Sequence, residues 1–432
     1  MHGVKSPVAH APLPERSAGR RTMRRVRRSA ALGTALLLAT ATVVTLAGAL
    51  QKAPCANRAW VEERRGSSTQ CYSDVADLYL TEQLAGGRLP YLDRCAAAAK
   101  PCDEYPVGSM LVMRASARIS DALTFDGVDP YTSFYWTNVV LLLACALITV
   151  WLLERAGASA ILFAAAPSLA MYGTMNWDLV AVALATAGTV CFLRRRDGWA
   201  GLLLGVGAAV KIFPLLLVVP FTLERLRGRD RSGAIRLGAT AGGALVALNA
   251  PFALVARDGW WTFFRYNAQR PAEYDTIWRA LCSVGPCLPT WLVGGLSWLV
   301  PIAGTALIWR WKARREPDLP RWVFAFPLLV LFVLANKVWS PQYGLWLLPW
   351  FALVAPSMKP YLAWQATEVL VFVVRFSFFD APDGTGGVPY WMFAAAVALR
   401  AVVLAWALVE WMRSATVIPT PRWDRRAAII TA

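Results

Sequence analysis

The chain has 432 residues, of which 57% are hydrophobic and 16% charged, and its mean hydropathy is +0.44. Soluble domains carry about 25% charged residues, so this composition excludes a water-soluble protein of two or three domains. The net charge of +17 and pI ≈ 9.9 would invite nucleic acid as a partner, but the basic residues sit in the tails and short loops, with no basic groove lined by stacking aromatics.

Residues 1–29 are polar and rich in arginine (Arg20, Arg21, Arg24, Arg25, Arg27 and Arg28), and they read as a disordered basic cytoplasmic tail. Ala30 to Leu50 is the first apolar span. Ala47-Gly48-Ala49 looks like a signal-cleavage site. The apolar run nevertheless exceeds the roughly 7–15 residues of a cleaved signal, which favours an uncleaved anchor. Residues 51–133 form a polar segment too long for a passive turn. Apolar spans follow near 134–153, 158–174 and 176–193. The stretch 198–223 is flanked by two basic runs, Arg194-Arg195-Arg196 and Arg225, Arg227, Arg229, Arg231. Both runs belong on the cytoplasmic side by the positive-inside rule, and a single crossing would put one of them outside. The stretch therefore reads as two short helices that enter and return, broken near Pro214.

Further spans lie near 234–255, 290–311, 321–336, 340–356, 361–379 and 389–411. Spans of this length predict an all-α multipass membrane protein with about ten crossings or more. Its polytopic domain covers 30–411 and a cytoplasmic C-terminal tail covers 412–432. Loops 51–133 and 256–289 fall outside, and the plasma membrane is the expected location. The 21 Trp fit aromatic belts at both interfaces. Six of the eight cysteines (Cys55, Cys71, Cys95, Cys102, Cys282 and Cys287) fall in the outer loops, where disulfides form. Six cysteines allow fifteen pairings, and the three sequential ones are expected: Cys55–Cys71, Cys95–Cys102 and Cys282–Cys287.

Both histidines lie in the first ten residues, which leaves carboxylates as the acid–base groups of the outer face. Asp74 and Asp77 open a short amphipathic helix behind a Ser73/Asp74 cap, and capping competes with catalysis as the reason for Asp74. Several polar residues stand where polarity is costly: Asp178, Lys211, Asn336, Lys337, Glu368, Arg375 and Arg400. Glu368 and Arg375, on one helix face, are expected to pair with each other. Lys211 either snorkels to the inner interface or reaches a polar cavity at the helix break. An outer site has no access to cytoplasmic nucleotides, so its activated donors would be lipids. A polyprenyl phosphate sugar would need a phosphate contact, a carboxylate base and a lipid groove.

Four motifs carry a family resemblance. They are Cys71-Tyr72-Ser73-Asp74 with Gly86-Gly87-Arg88-Leu89-Pro90-Tyr91, and Glu104-Tyr105-Pro106. The others are Asn176-Trp177-Asp178-Leu179 through Lys211-Ile212-Phe213-Pro214, and Asn336-Lys337-Val338-Trp339-Ser340-Pro341-Gln342-Tyr343. In this order and spacing the chain resembles the GT-C fold glycosyltransferases that use polyprenol phosphate sugars. It is most similar to glycosyltransferase family 87, the alpha-(1→2) mannosyltransferase-like proteins of actinobacteria, some of which extend phosphatidylinositol mannosides.

The resemblance implies a GT-C-like helical bundle and inverting transfer, with mannose as the sugar by family alone. Asp74 occupies the place of the general base, with Asp77 as alternate. Glu104, Tyr105, Asn176, Asp178, Lys211, Arg270, Asn336, Lys337, Gln342 and Tyr343 are the implied substrate-binding residues, with Arg270 and Lys337 on phosphate or sugar. The implied partners are a polyprenyl phosphate sugar donor, a glycolipid or glycan acceptor and the bilayer. No metal or cofactor is expected. A transporter or lipid flippase is the competing class, and a scaffold with a decayed site is a third.

Overall fold

A computed structural model describes residues 16–63, 65–95, 102–354, 357–380 and 387–423, with side chains from Ala31 onward. Among these residues the chain is all α-helix with short 3-10 turns and no strand. The first helix, α1 (Arg16–Lys52), begins inside the arginine-rich segment expected to be an unstructured tail. Residues 1–15 of that tail and the last part of the C-terminal one, 424–432, lie outside the described residues.

The long loop expected over 51–133 holds three helices, α2 (Arg58–Glu62), α3 (Asp74–Thr81) and α4 (Val107–Leu123). Next comes α5 (Pro130–Arg155), whose start is set by Pro130 in the first turn and by Asp129, which accepts from Thr132 N at 3.2 Å. The single span expected over 158–174 is instead two short helices, α6 (Ile161–Ala164) and α7 (Pro167–Tyr172). Pro167 supplies no N–H for a helix running through it, which explains the division. Then follow α8 (Asp178–Leu193), α9 (Asp197–Val210), α10 (Phe213–Arg227) and α11 (Arg231–Val255). The segment 256–289, expected outside, holds α12 (Arg257–Gln269) and α13 (Ile277–Cys282). The chain closes with α14 (Thr290–Ala313), α15 (Ala325–Ala335), α16 (Gly344–Val354), α17 (Met358–Phe378) and α18 (Tyr390–Arg413).

By length and composition, five helices can cross a bilayer among the described residues: α1 from Ala31, α5, α11, α14 and α18. Other apolar stretches counted as spans from sequence are shorter, such as α15 and α16 with 11 residues each. A helix of that length rises only about 17 Å, well short of the hydrocarbon thickness. Apolar character there reflects burial against other helices: Phe326, Leu329, Val330, Trp346 and Phe351 are all buried. By contrast α11 leaves Leu254 83% and Ile235 70% exposed, a surface that lipid has to cover.

The break expected near Pro214 falls at Lys211-Ile212, and Pro214 stands in the first turn of α10. Lys211 is extended (φ −146°, ψ 141°) between the two helices. The end of α9 is capped from outside, because Ser109 of α4 donates to the Val210 carbonyl at 2.7 Å. Gly108 permits this approach: a Cβ there would lie 2.6 Å from the Ala209 carbonyl carbon. Cys55–Cys71, Cys95–Cys102 and Cys282–Cys287 are all bonded, while Cys145 and Cys191 are free.

Candidate active site

The segment that opens α3 is fixed twice. Cys71 is tied to Cys55, and Ser73 Oγ donates to the Thr174 and Met175 carbonyls at 3.0 and 3.3 Å. Ser73 also accepts from Val75 N at 3.2 Å, so Ser73 is the N-cap and Asp74 is released from that duty. Asp74 faces the turn before α8. Its Oδ1 accepts from Tyr72 Oη at 2.7 Å, and its Oδ2 accepts from Asn176 Nδ2 at 2.6 Å and Gln342 Nε2 at 3.3 Å. Asn176 Nδ2 also reaches Tyr105 Oη at 3.0 Å. Burial pushes the Tyr72 and Tyr105 phenols well up, and the charge of Asp74 adds to this, so both stay protonated, Tyr72 as a donor to Asp74 and Tyr105 as an acceptor from Asn176. Asp77 lies one turn along α3 and acts on Tyr72 electrostatically.

Beside this carboxylate stands a buried ion pair. Asp178 is fully buried at the first turn of α8, where the helix N-terminus favours its charge. Lys211 Nζ is 3.5 Å from Asp178 Oδ2 and 4.7 Å from the centre of the Tyr105 ring. Trp346 Nε1 donates to Asp178 Oδ1 at 2.7 Å, and its ring stacks on Tyr343 at 3.7 Å. Lys211 therefore reaches the polar centre and does not snorkel to the inner interface. The extended backbone at the helix break aims it there.

The segment 256–289 and its neighbours supply further charge. Arg270 pairs with Glu273, and its guanidinium lies 5.5 Å from the Tyr266 ring. Glu104 acts on both Tyr266 and Arg270, and its Oε2 is buried without a hydrogen-bond partner among the described residues. Lys337 Nζ donates to the Ala268 carbonyl at 3.1 Å, and the Lys337 carbonyl accepts from Glu273 N at 3.0 Å. Burial and the neighbouring Arg270 charge both lower the Lys337 ammonium's pKa. Asn336 has a local role, its Oδ1 accepting from Val338 N at 3.1 Å.

Asp74, Tyr105, Asn176 and Gln342 thus join in one hydrogen-bonded group, with Asp178, Lys211 and Tyr343 against it. Glu104 from the first loop, Arg270 from the second and Lys337 from the turn after α15 form the adjoining group. Tyr72, Trp346 and Glu273 belong to the site and carry no role in the sequence reading. Tyr72 stands two residues from Asp74, and that proximity was the available signal. Nothing local marks Trp346 or Glu273. The expected pair Glu368–Arg375 does not form: Glu368 faces Arg400 at 3.6 Å, and Arg375 binds Asp275 at 3.0 Å. Residues seven apart on one helix share a face, but each charge turned to a partner on another element.

Fold and site together define a multipass α-helical membrane protein with a carboxylate-centred polar site assembled from its loops and helix ends. The model of glycosyltransferase family 87 matches residues 105–336, more than half of the chain. The chain belongs to that family and is a membrane glycosyltransferase. The matched range includes Tyr105, Asn176, Asp178, Lys211, Arg270 and Asn336, while Asp74 precedes it. No curated protein and no solved structure matches the chain.

Proposed function

We propose that the protein transfers mannose from a polyprenyl phosphate donor to a hydroxyl of a glycolipid or glycan at the outer face of the plasma membrane, with inversion. The observation that carries this reading is the seating of Asp74, held at both oxygens by three neutral donors from three separate segments. A base needs a fixed direction and an unneutralised charge, and neutral donors give the first without removing the second.

In the proposed step the acceptor oxygen attacks the anomeric carbon as its proton passes to Asp74. The bond from that carbon to the phosphate oxygen breaks, and the phosphate leaves with the electron pair. Arg270 and Lys337 hold the donor phosphate alike in the bound donor and as it departs. Glu104, Tyr105, Asn176, Gln342 and Tyr343 line the sugar, and Asp178 holds Lys211 in place. Asp77 is the alternate base. The basic termini lie in the cytoplasm, and loops 51–133 and 256–289 lie outside, as the positive-inside distribution requires.

The test uses the full chain in vesicles, given polyprenyl phosphate mannose and a mannosylated lipid acceptor. Transfer with inverted anomeric configuration is expected from the wild type and not from Asp74→Asn. Transfer from a sugar nucleotide but not from the lipid donor, or retained configuration, overturns the reading.

A further inference from the structure

Asp275 lies in the turn between α12 and α13, yet it is only 2% exposed. Arg375 of α17 aims its Nε at both carboxylate oxygens, 3.0 and 3.1 Å away. Arg400 of α18 donates from Nη2 to the main-chain carbonyl of Asp275 at 3.0 Å. Arg400 is itself fully buried, stacked 3.7 Å from the centre of the Trp339 ring. The same turn is fastened at Glu273, whose N–H donates to the Lys337 carbonyl at 3.0 Å, and Glu273 in turn pairs with Arg270. On its other side Arg375 is near Tyr72, the donor to Asp74, and the adjacent Phe376 ring packs 5.7 Å from the Tyr72 ring. Two arginines on two helices thus converge on one residue of a loop that carries a proposed phosphate ligand.

Stability alone does not account for this choice. Removing two charges from water costs several kcal/mol per ion, and an apolar pair of similar volume holds helices together at least as well. Directed bonds do what apolar contact does not: they fix a loop in one position relative to both helices.

We propose that Arg375 and Asp275 form a positioning brace that holds the second outer loop in register with the Asp74 segment, so that Arg270 faces the donor phosphate. Neither residue touches substrate. The role given to Arg270 rests on the proposed function, whereas the bracing of the loop does not.

Two measurements on the full chain in vesicles separate these claims. The first is amide hydrogen exchange over residues 270–276 in the wild type, Asp275→Asn, Arg375→Gln and Arg375→Lys. Exchange is expected to rise about tenfold in the first two variants and less in Arg375→Lys, which keeps the charge but loses the planar fork. The second is transfer kinetics with polyprenyl phosphate mannose. The KM for the donor is expected to rise about tenfold with kcat within about twofold, the signature of lost ground-state binding, and Arg375→Lys recovers part of it. Unchanged loop exchange in folded Asp275→Asn overturns the brace. A fall in kcat at constant KM overturns its link to Arg270. Should Asp275→Asn not fold, Arg375→Lys decides by the same two readouts. A wild type that transfers nothing from the lipid donor defeats the functional reading, and the exchange result still judges the brace.

Discussion

Two buried polar clusters lie within reach of Tyr72, and they treat their carboxylates differently. Asp74 is held by a phenol and two amides, all neutral. Asp275 and Glu368 are held against guanidinium groups, Arg375 at 3.0 Å and Arg400 at 3.6 Å. A carboxylate against a guanidinium is neutralised and gains a fixed place. One against neutral dipoles is given a fixed direction with no counter-ion beside it. The contrast separates a candidate reactive group from a structural one without reference to sequence position. Asp178 belongs with the second kind, since Lys211 offsets it and Trp346 orients it.

The largest expected effect breaks the contrast at Asp74. Asp74→Asn keeps the shape and should lower kcat by about 10²–10⁴, the usual contribution of a general base, with the thermal midpoint unchanged. An equal loss in Asp77→Asn with normal Asp74→Asn turnover would move the base by one helical turn. The next effect falls on the other cluster and on a different observable. Glu368→Ala leaves Arg400 buried without its counter-ion, and the cost should be about 3–5 kcal/mol of stability. Unfolding in detergent checks this, and the paired change Glu368→Met with Arg400→Met should cost less than the single one. Equal costs would show that the pair contributes stability after all.

A smaller effect is expected at Tyr72. Tyr72→Phe removes one of the three neutral donors, keeps the ring packing, and should lower kcat about tenfold without changing stability. A drop in stability with normal turnover would place Tyr72 among the structural residues.

The smallest effect concerns a third cluster that combines both patterns. Arg88 binds Asp103 at 2.5 and 3.1 Å, while Glu82 accepts from Asp103 N at 2.8 Å. Two carboxylates share one guanidinium, and burial pushes Glu82 up from its ordinary 4.5 to about 7, with the Asp103 and Glu104 charges adding to the rise. Because its folded pKa is the higher one, Glu82 contributes stability that is full below about pH 4.5 and is lost as pH rises through about 7. Amide protection factors over residues 65–95, with exchange corrected for its intrinsic base-catalysed rate, should therefore be higher at about pH 5 than at about pH 8, and Glu82→Gln should remove the difference. A pH dependence that survives Glu82→Gln would assign it to another group.

Much of the fold is legible in the chain itself. Apolar runs mark α5, α11, α14 and α18 to within a few residues, because helix length and hydropathy are local properties. The break before α10 is found where the expectation of two basic runs on one side placed it. The three disulfides join neighbours in sequence, where chain connectivity already keeps the cysteines close. The structure differs from that reading where a short apolar stretch packs against other helices. The segments forming α6, α7, α15 and α16 read as spans because both surroundings select the same residues.

The candidate site divides in the same way. Its residue types and motifs are visible from sequence, since a charge in an apolar setting is conspicuous wherever it stands. Which partner each charge takes is not visible, because the pairings are long-range. Arg375 turns from Glu368, on its own helix, to Asp275, and Lys211 reaches back to Asp178. Sequence determined that this protein spans a membrane in helices and carries a few costly polar residues within them. The tertiary structure alone decided which of their charges are cancelled. Electrostatic compensation depends on distances of a few ångströms between segments that the chain order does not bring together.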